Sequence, residues 1–448
     1  MTMSKSKNLM TEGSIWKKIV FFALPILLGN LFQQMYNTVD SLIVGNFLGS
    51  NALAAVSSAG NLIFLMVGFF DGLSVGAGVV IARYFGARDL KNLEAAVHTT
   101  VVLGLIASVI LTIGGVFFTP TLLKWMGTPA NVMPDSVTYF RIFFMGSLGL
   151  VMYNALVGIL RAVGDSRHPL YYLIISSIIN VILDLLFIGV FHMGVEGAAF
   201  ATALSQVLSA VLCLIQLMKT EEEYKVELKK IKWNWNMLKQ IIYFGLPSGM
   251  QNSIIAFANV IVQSYINSFG EMAMAGCGAY SKIEGFAFLP ITSFTMALTT
   301  FVSQNLGAKE YERTKKGVRF GLVCTVVLAE LIGFIIFAFA PQLTAAFDPT
   351  PAVVKFGVDR AKIEAFFFCF LAFSHGIAAV LRGAGKSMVP MVVMMIIWCG
   401  IRVSFLAVTM AIYPMIEWLY WVYPLTWTLS SIVFYIYYKK ADWLHALG

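Results

Sequence analysis

The chain has 448 residues, 59% hydrophobic and only 12% charged, with a formal net charge of +8 and a mean hydropathy of +0.80. A soluble protein of this size needs far more charge to cover its surface, so the composition excludes a soluble fold and points to an all-α integral membrane protein. Many of its apolar runs exceed the roughly 20 residues that a span needs. The positive balance suits loops beside anionic lipid and gives no reason to expect nucleic acid. The five cysteines (Cys213, Cys277, Cys324, Cys369, Cys399) lie in apolar runs without a CxxC pair, which argues against a metal site or disulfide framework.

Residues 1–18 are polar and amphipathic. They lack the apolar core and small-residue cleavage site of a signal peptide, so the first span is expected to be retained. Apolar runs between polar or Gly/Pro breaks predict twelve helices, over about 17–47, 52–82, 94–118, 136–160, 168–191, 196–218, 237–268, 272–303, 317–340, 356–381, 388–412 and 417–438.

The first predicted helix carries a polar stripe of Asn30, Gln33, Tyr36, Asn37 and Asp40. The spacing from 33 to 40 is that of one helix face. A carboxylate facing lipid costs about 3 kcal/mol or more, so Asp40 is expected to face protein or a water-filled cavity. The second helix holds Asp71 in a glycine-rich run that permits close helix packing. Asn154 lies in the fourth helix, Asn180 and Asp184 in the fifth, and Thr202 in the sixth. The charged stretch 219–240 reads as a solvated or interfacial helix. Beyond it come Lys282 and Glu284, Glu330, Lys362 and Glu364, and Arg402. Lys362 and Glu364 read as near-surface charges whose side chains reach the interface. Lys282, Glu284 and Arg402 could line a cavity in the second half, or be locally paired.

Most of the 31 lysines and arginines fall in the N-terminus, the C-terminus and every second loop. The positive-inside rule then places both termini in the cytoplasm. The halves are repeats. Gly49 recurs as Gly270, Gly86-Ala87-Arg88 as Gly307-Ala308-Lys309, and Pro120 as Pro341, at an offset of 221. Leu160 to Ser166 matches Leu381 to Ser387 at the same offset. Six helices per repeat give two lobes of like orientation, related by an axis along the membrane normal. The expected lobes are 1–218 and 237–448, joined by a cytoplasmic linker at 219–236.

The acids break this repeat. The counterparts of Asp40, Asn180 and Asp184 are Ile261, Ile401 and Phe405. Asp40 and Asp184 each lie seven residues before the outer end of their helices (Phe47, Phe191), and Thr202 lies just inside the outer start of its own. At ~1.5 Å per residue, all three sit roughly 5–12 Å below the outer surface. Two carboxylates, an amide oxygen and a hydroxyl offer hard oxygen ligands for Na⁺. Two carboxylates held close can equally share a proton. The residue pattern leaves both open.

Walker A, GxSxG and HExxH patterns are absent and the histidines are scattered, so the chain is expected to be neither an enzyme nor a cofactor carrier. The pattern ALPILLGN followed by QMYNTVDSLIVG, the GAR and GAK loops, and the paired LRAVGDSRHP and LRGAGKSMVP turns resemble the multidrug and toxic compound extrusion (MATE) family over nearly the whole chain. The resemblance implies two six-helix lobes in a plasma-membrane exporter of cationic or amphipathic molecules, in exchange for H⁺ or Na⁺. It is strongest to the branch related to DNA-damage-inducible protein F. There the cation site would be Asp40, Asn180, Asp184 and Thr202, with Tyr36 and Asn154 nearby and Gln33 and Asn37 as further candidates. Another branch uses acids in helices 7 and 10; here helix 7 has none and helix 10 offers only Glu364 near its outer end, which argues against an ion site in the second lobe. The resemblance also admits a lipid-linked oligosaccharide flippase. Lys282 and Arg402 favour that alternative; twelve spans and an acidic first lobe disfavour it. A monomer is the default.

Overall fold

The computed structural model describes residues 9–125, 128 and 130–445, except for the side chains at 50, 51, 53, 54 and 57–66. The lysines at positions 5 and 7 lie outside these residues.

The described chain is helical. In order, the helices are α1 (Ile15–Leu48), α2 (Ser50–Ala87), α3 (Leu90–Trp125) and α4 (Met133–Met145, then Ser147–Ala162). Next come α5 (Arg167–Asp184, ending in π-turns over Leu185–Val190) and α6 (Val195–Lys219). The second set is α7 (Trp235–Asn267), α8 (Glu271–Gly307), α9 (Tyr311–Phe347) and α10 (Pro351–Glu364, a 3₁₀ turn, then Phe368–Gly383). It closes with α11 (Met388–Ile412, with a π-helical middle over Met395–Ile401) and α12 (Glu417–Lys440). Nine of these are long and apolar enough to span a bilayer, or ten counting α4, which bends by 48° at Gly146. α7 and α12 have spanning length and complete two sets of six.

The motifs that keep the repeat in register are helix ends. Arg88 and Lys309, at the ends of the GAR and GAK runs, both have left-handed backbones, with φ of 55° and 60°. Gly49 and Gly270, each just before a helix, have φ of 88° and 95°, with ψ near 180°. That region is open essentially to glycine alone. Loop identity is therefore fixed by backbone geometry, which apolar patterning does not encode.

By packing, residues 28–249 form one compact unit, and residues 10–27 with 250–445 form another. The first unit buries Tyr139, Phe140, Phe143 and Phe144 of α4 against apolar residues of α1, α3, α5 and α6. Its α2 and α7 touch backbone to backbone: a Cβ added at Gly72 would lie 2.1 Å from the Gly249 nitrogen, and one at Gly76 would lie 2.3 Å from that of Gly245. The second unit holds a core of α8, α9, α10, α11 and α12. The start of α1 also packs there, with Ile19, Phe22 and Ile26 on Phe294, Ala297 and Phe301. Arg313 ties down the segment before α1, donating to the carbonyls of Met10, Glu12 and Gly13.

The stretch after α6 departs from the sequence expectation of a helix. It contains a single 3₁₀ turn, Leu228–Lys230. The reason is side-chain docking on the first unit. Tyr224 and Val226 are buried, Tyr224 meets Phe85 edge-on, and His98 Nε2 accepts the Glu227 N–H at 3.1 Å. Lys230 bridges Glu227 and Glu94 at 2.9 and 3.3 Å. Its hydrogen bond holds the Glu227 carboxyl below the ordinary range.

Candidate functional site

The first unit gathers an acidic cluster from four helices. α1 supplies Tyr36 and Asp40, α4 supplies Tyr139, α5 supplies Asn180 and Asp184, and α6 supplies Thr202. Asp40, Tyr139 and Thr202 are buried, and Asn180 and Asp184 are fully so. Asn180 and Asp184 are one turn apart and share a face. The hydrogen-bond network fixes the Asn180 amide so that its nitrogen donates to Asp184 Oδ2 at 3.0 Å, while its oxygen accepts the Thr202 backbone N–H at 3.2 Å. Asn180 thus pins one Asp184 oxygen and ties α5 to α6. The π-turns begin at Leu185, the residue after Asp184. Such a local widening of a helix is frequent at functional sites.

The Asp40 and Asp184 carboxyls lie within hydrogen-bonding reach of each other. Two carboxylates meet that closely only with a proton or a cation between them. The phenols of Tyr36 and Tyr139 sit beside the Thr202 hydroxyl. Asp40 Oδ1, Asp184 Oδ1 and Thr202 Oγ1 are buried without a well-aligned hydrogen-bond partner. Three buried oxygens left open around two acids fit a small hard cation or a shared proton; an apolar ligand would leave them unsatisfied. Among the described residues no three His, Cys, Asp or Glu side chains converge, so a site of the transition-metal kind is not built there.

Of the residues singled out from sequence, Tyr36, Asp40, Asn180, Asp184 and Thr202 are brought together. Gln33 and Asn37 are exposed and Asn154 is half-buried. Among the described residues no hydrogen bond joins these three to the cluster. Tyr139 was missed because tyrosine in an apolar helix carries no sequence signal; only the fold brings it to Thr202.

In the second unit Lys282 is exposed, its ammonium 5.7 Å from the Phe347 ring. Glu284 stands 3.7 Å from Arg360. Arg402 is buried and donates to Asn259 and Thr426 at 3.3 and 2.9 Å. Glu364 is not the near-surface charge expected from sequence: it is fully buried and bonded to Arg360 at 2.7 Å. The pair sits one turn apart on the inner face of α10, which length and hydropathy alone did not reveal. Glu330 accepts the Cys369 N–H at 2.9 Å, capping the start of the second segment of α10.

Comparison with known proteins gives the chain relatives over most of its length. The MatE family pattern matches residues 25–186 and again 247–408. The chain is 29% identical to the probable multidrug resistance protein YoeA of Bacillus subtilis, over 98% of this chain and 95% of that one. It is 26% identical to the probable multidrug resistance protein NorM of Thermotoga maritima, over 86% and 83%. Its fold superposes, with a TM-score of 0.90 and 23% identity, on an outward-facing multidrug resistance MATE family transporter of the MOP superfamily, covering 98% of both chains. A TM-score of 0.90 at 24% identity also relates it to a Pyrococcus furiosus MOP superfamily transporter described as having a binding pocket of reverse polarity.

Proposed function

The chain belongs to the MatE family, and we propose that it is a secondary active exporter of cationic or amphipathic small molecules, coupled to entry of H⁺ or Na⁺. The observation that carries this reading is the Asp40–Asp184 pair, two of whose oxygens, with the Thr202 hydroxyl, lack a well-aligned hydrogen-bond partner, buried in an apolar protein whose relatives are named multidrug resistance proteins. In this reading the pair holds the coupling ion. Asn180 orients Asp184, and the Thr202 hydroxyl supplies a further oxygen. Residues on two six-helix lobes, 1–218 and 237–448, alternate access to the substrate. The chain works as a monomer in the plasma membrane, with both termini cytoplasmic.

An ion shifts drug affinity only through a difference in binding between two states. Coupling of about 1–3 kcal/mol changes affinity roughly 5–150-fold, which a shared proton or cation at a buried acid pair can supply. The flippase alternative draws on buried positive charge, but Arg402 is already bonded to Asn259 and Thr426. The test is efflux of a fluorescent cationic dye from proteoliposomes, first under an imposed pH gradient and then under an imposed Na⁺ gradient. Acceleration by either supports antiport. Efflux indifferent to both would end this reading.

A further inference from the structure

The second unit encloses a cation of its own. Arg360 of α10 is 3% exposed. Its Nε donates to Glu364 Oε1 at 2.7 Å, and one of its terminal nitrogens stands 3.7 Å from Glu284 Oε2 on α8. Another donates to Ser281 Oγ at 3.4 Å. The rings of Tyr280 and Tyr423 lie 5.0 and 4.9 Å from the guanidinium carbon. Two aromatic rings and two carboxylates around one planar cation form the kind of enclosure that recognises organic cations. Here the cation is part of the chain. Glu364 Oε2 makes no bond to Arg360; the Tyr280 phenol lies beside this carboxyl without a well-aligned hydrogen bond.

The repeat shows what this arginine stands in place of. At the 221-residue offset Arg360 corresponds to Tyr139, and the neighbouring Lys362-Ile363 to Arg141-Ile142. Tyr139 borders the acid cluster of the first unit. At a position that lines an acid pair in one half, the other half carries a permanent positive charge, since a guanidinium does not deprotonate in proteins. Arg402, 4.6 Å from the same Tyr423 ring, adds a second. Two guanidiniums then balance Glu284 and Glu364, and no outside ion is required.

We propose that the second unit holds a cation cage filled by the chain's own Arg360, so that this unit neither loads nor releases a coupling cation, and that removing this side chain opens the cage to a free guanidinium ion. The statement about coupling rests on the reading that the acid pair of the first unit is the exchangeable site. The cage itself is tested without transport, so the two fail separately.

The full chain is purified in detergent and its Tm is followed in guanidinium chloride at low, non-denaturing concentration against equal NaCl. Wild type is expected to unfold at the same temperature in both. Arg360→Ala is expected to unfold lower in NaCl and to recover by about 1.5 °C once guanidinium reaches roughly tenfold its dissociation constant, in a saturable manner. Adding Glu364→Gln to Arg360→Ala is expected to remove that response. If Arg360→Ala cannot be recovered folded in NaCl, the comparison is read as monodisperse yield after extraction in guanidinium or NaCl. Equal behaviour of Arg360→Ala in the two salts overturns the proposal. So does a wild-type response as large as the variant's, or a response that survives Glu364→Gln.

Discussion

At the scale of single residues, the chemistry concentrates where hydrogen bonding is incomplete. Asp184 has one oxygen held by Asn180 and one without a well-aligned partner; Asp40 Oδ1 and Thr202 Oγ1 likewise lack a well-aligned partner. If the two acids serve one ion, Asp40→Asn and Asp184→Asn should each abolish gradient-driven efflux at normal expression, and the double variant should lose little more. Groups acting as a unit are strongly non-additive, so strictly additive losses in a transport double-mutant cycle would show two independent sites. Asn180 has a different task. Asn180→Leu keeps the branched shape of the side chain but removes the amide donor to Asp184 Oδ2 and the amide acceptor that links α5 to α6. It should cost about 1–3 kcal/mol for each buried group left unsatisfied, visible as a lowered Tm even without transport. A Tm equal to wild type would mean that Asn180 does not tie α5 to α6.

At the scale of elements, close approach decides where glycine is required. Gly72 and Gly249 bring α2 and α7 to backbone contact. An added side chain there has only backbone to displace, so Gly72→Ala is expected to cost at least the 1–3 kcal/mol typical of overpacking. Gly114 is the control: a Cβ there meets nothing within 4 Å, and it sits inside α3. Gly114→Ala should raise stability by about 0.4–1 kcal/mol through helix propensity and a less mobile unfolded chain. Thermal unfolding of both variants checks the pair; a tolerated Gly72→Ala would show that the two helices do not meet as described. Irregular elements matter equally. The π-turns after Asp184 and the π-segment before Arg402 flank the buried charges of α5 and α11, although the apolar pattern of both runs reads as uninterrupted helix.

At the scale of the whole molecule, a repeated scaffold carries unlike charge in its two halves. An acid pair with no cation among its partners lies in the first unit, and acids set against guanidiniums lie in the second. If ion binding drives alternating access, labels at His192→Cys and Glu271→Cys, in a background lacking the five native cysteines, should change their separation between low and high pH or Na⁺. An unchanged distance distribution under all conditions would count against it. Membrane class, the two sets of six helices and the 221-residue repeat were legible in the sequence, because hydropathy and helix-ending residues are local properties. Asp40 and Asp184 were legible as candidates because an unduplicated acid in an apolar helix is costly wherever it points; Asn180 and Thr202 followed from their position relative to those acids and from the family resemblance. Tertiary structure alone decided that Tyr139 joins them while Gln33 and Asn37 do not. It alone turned Glu364 inward onto Arg360 and docked Tyr224 and Val226 instead of letting their segment coil into a helix. A sequence pattern gives the face and depth of a side chain, but its partners come from other helices, and only packing chooses them.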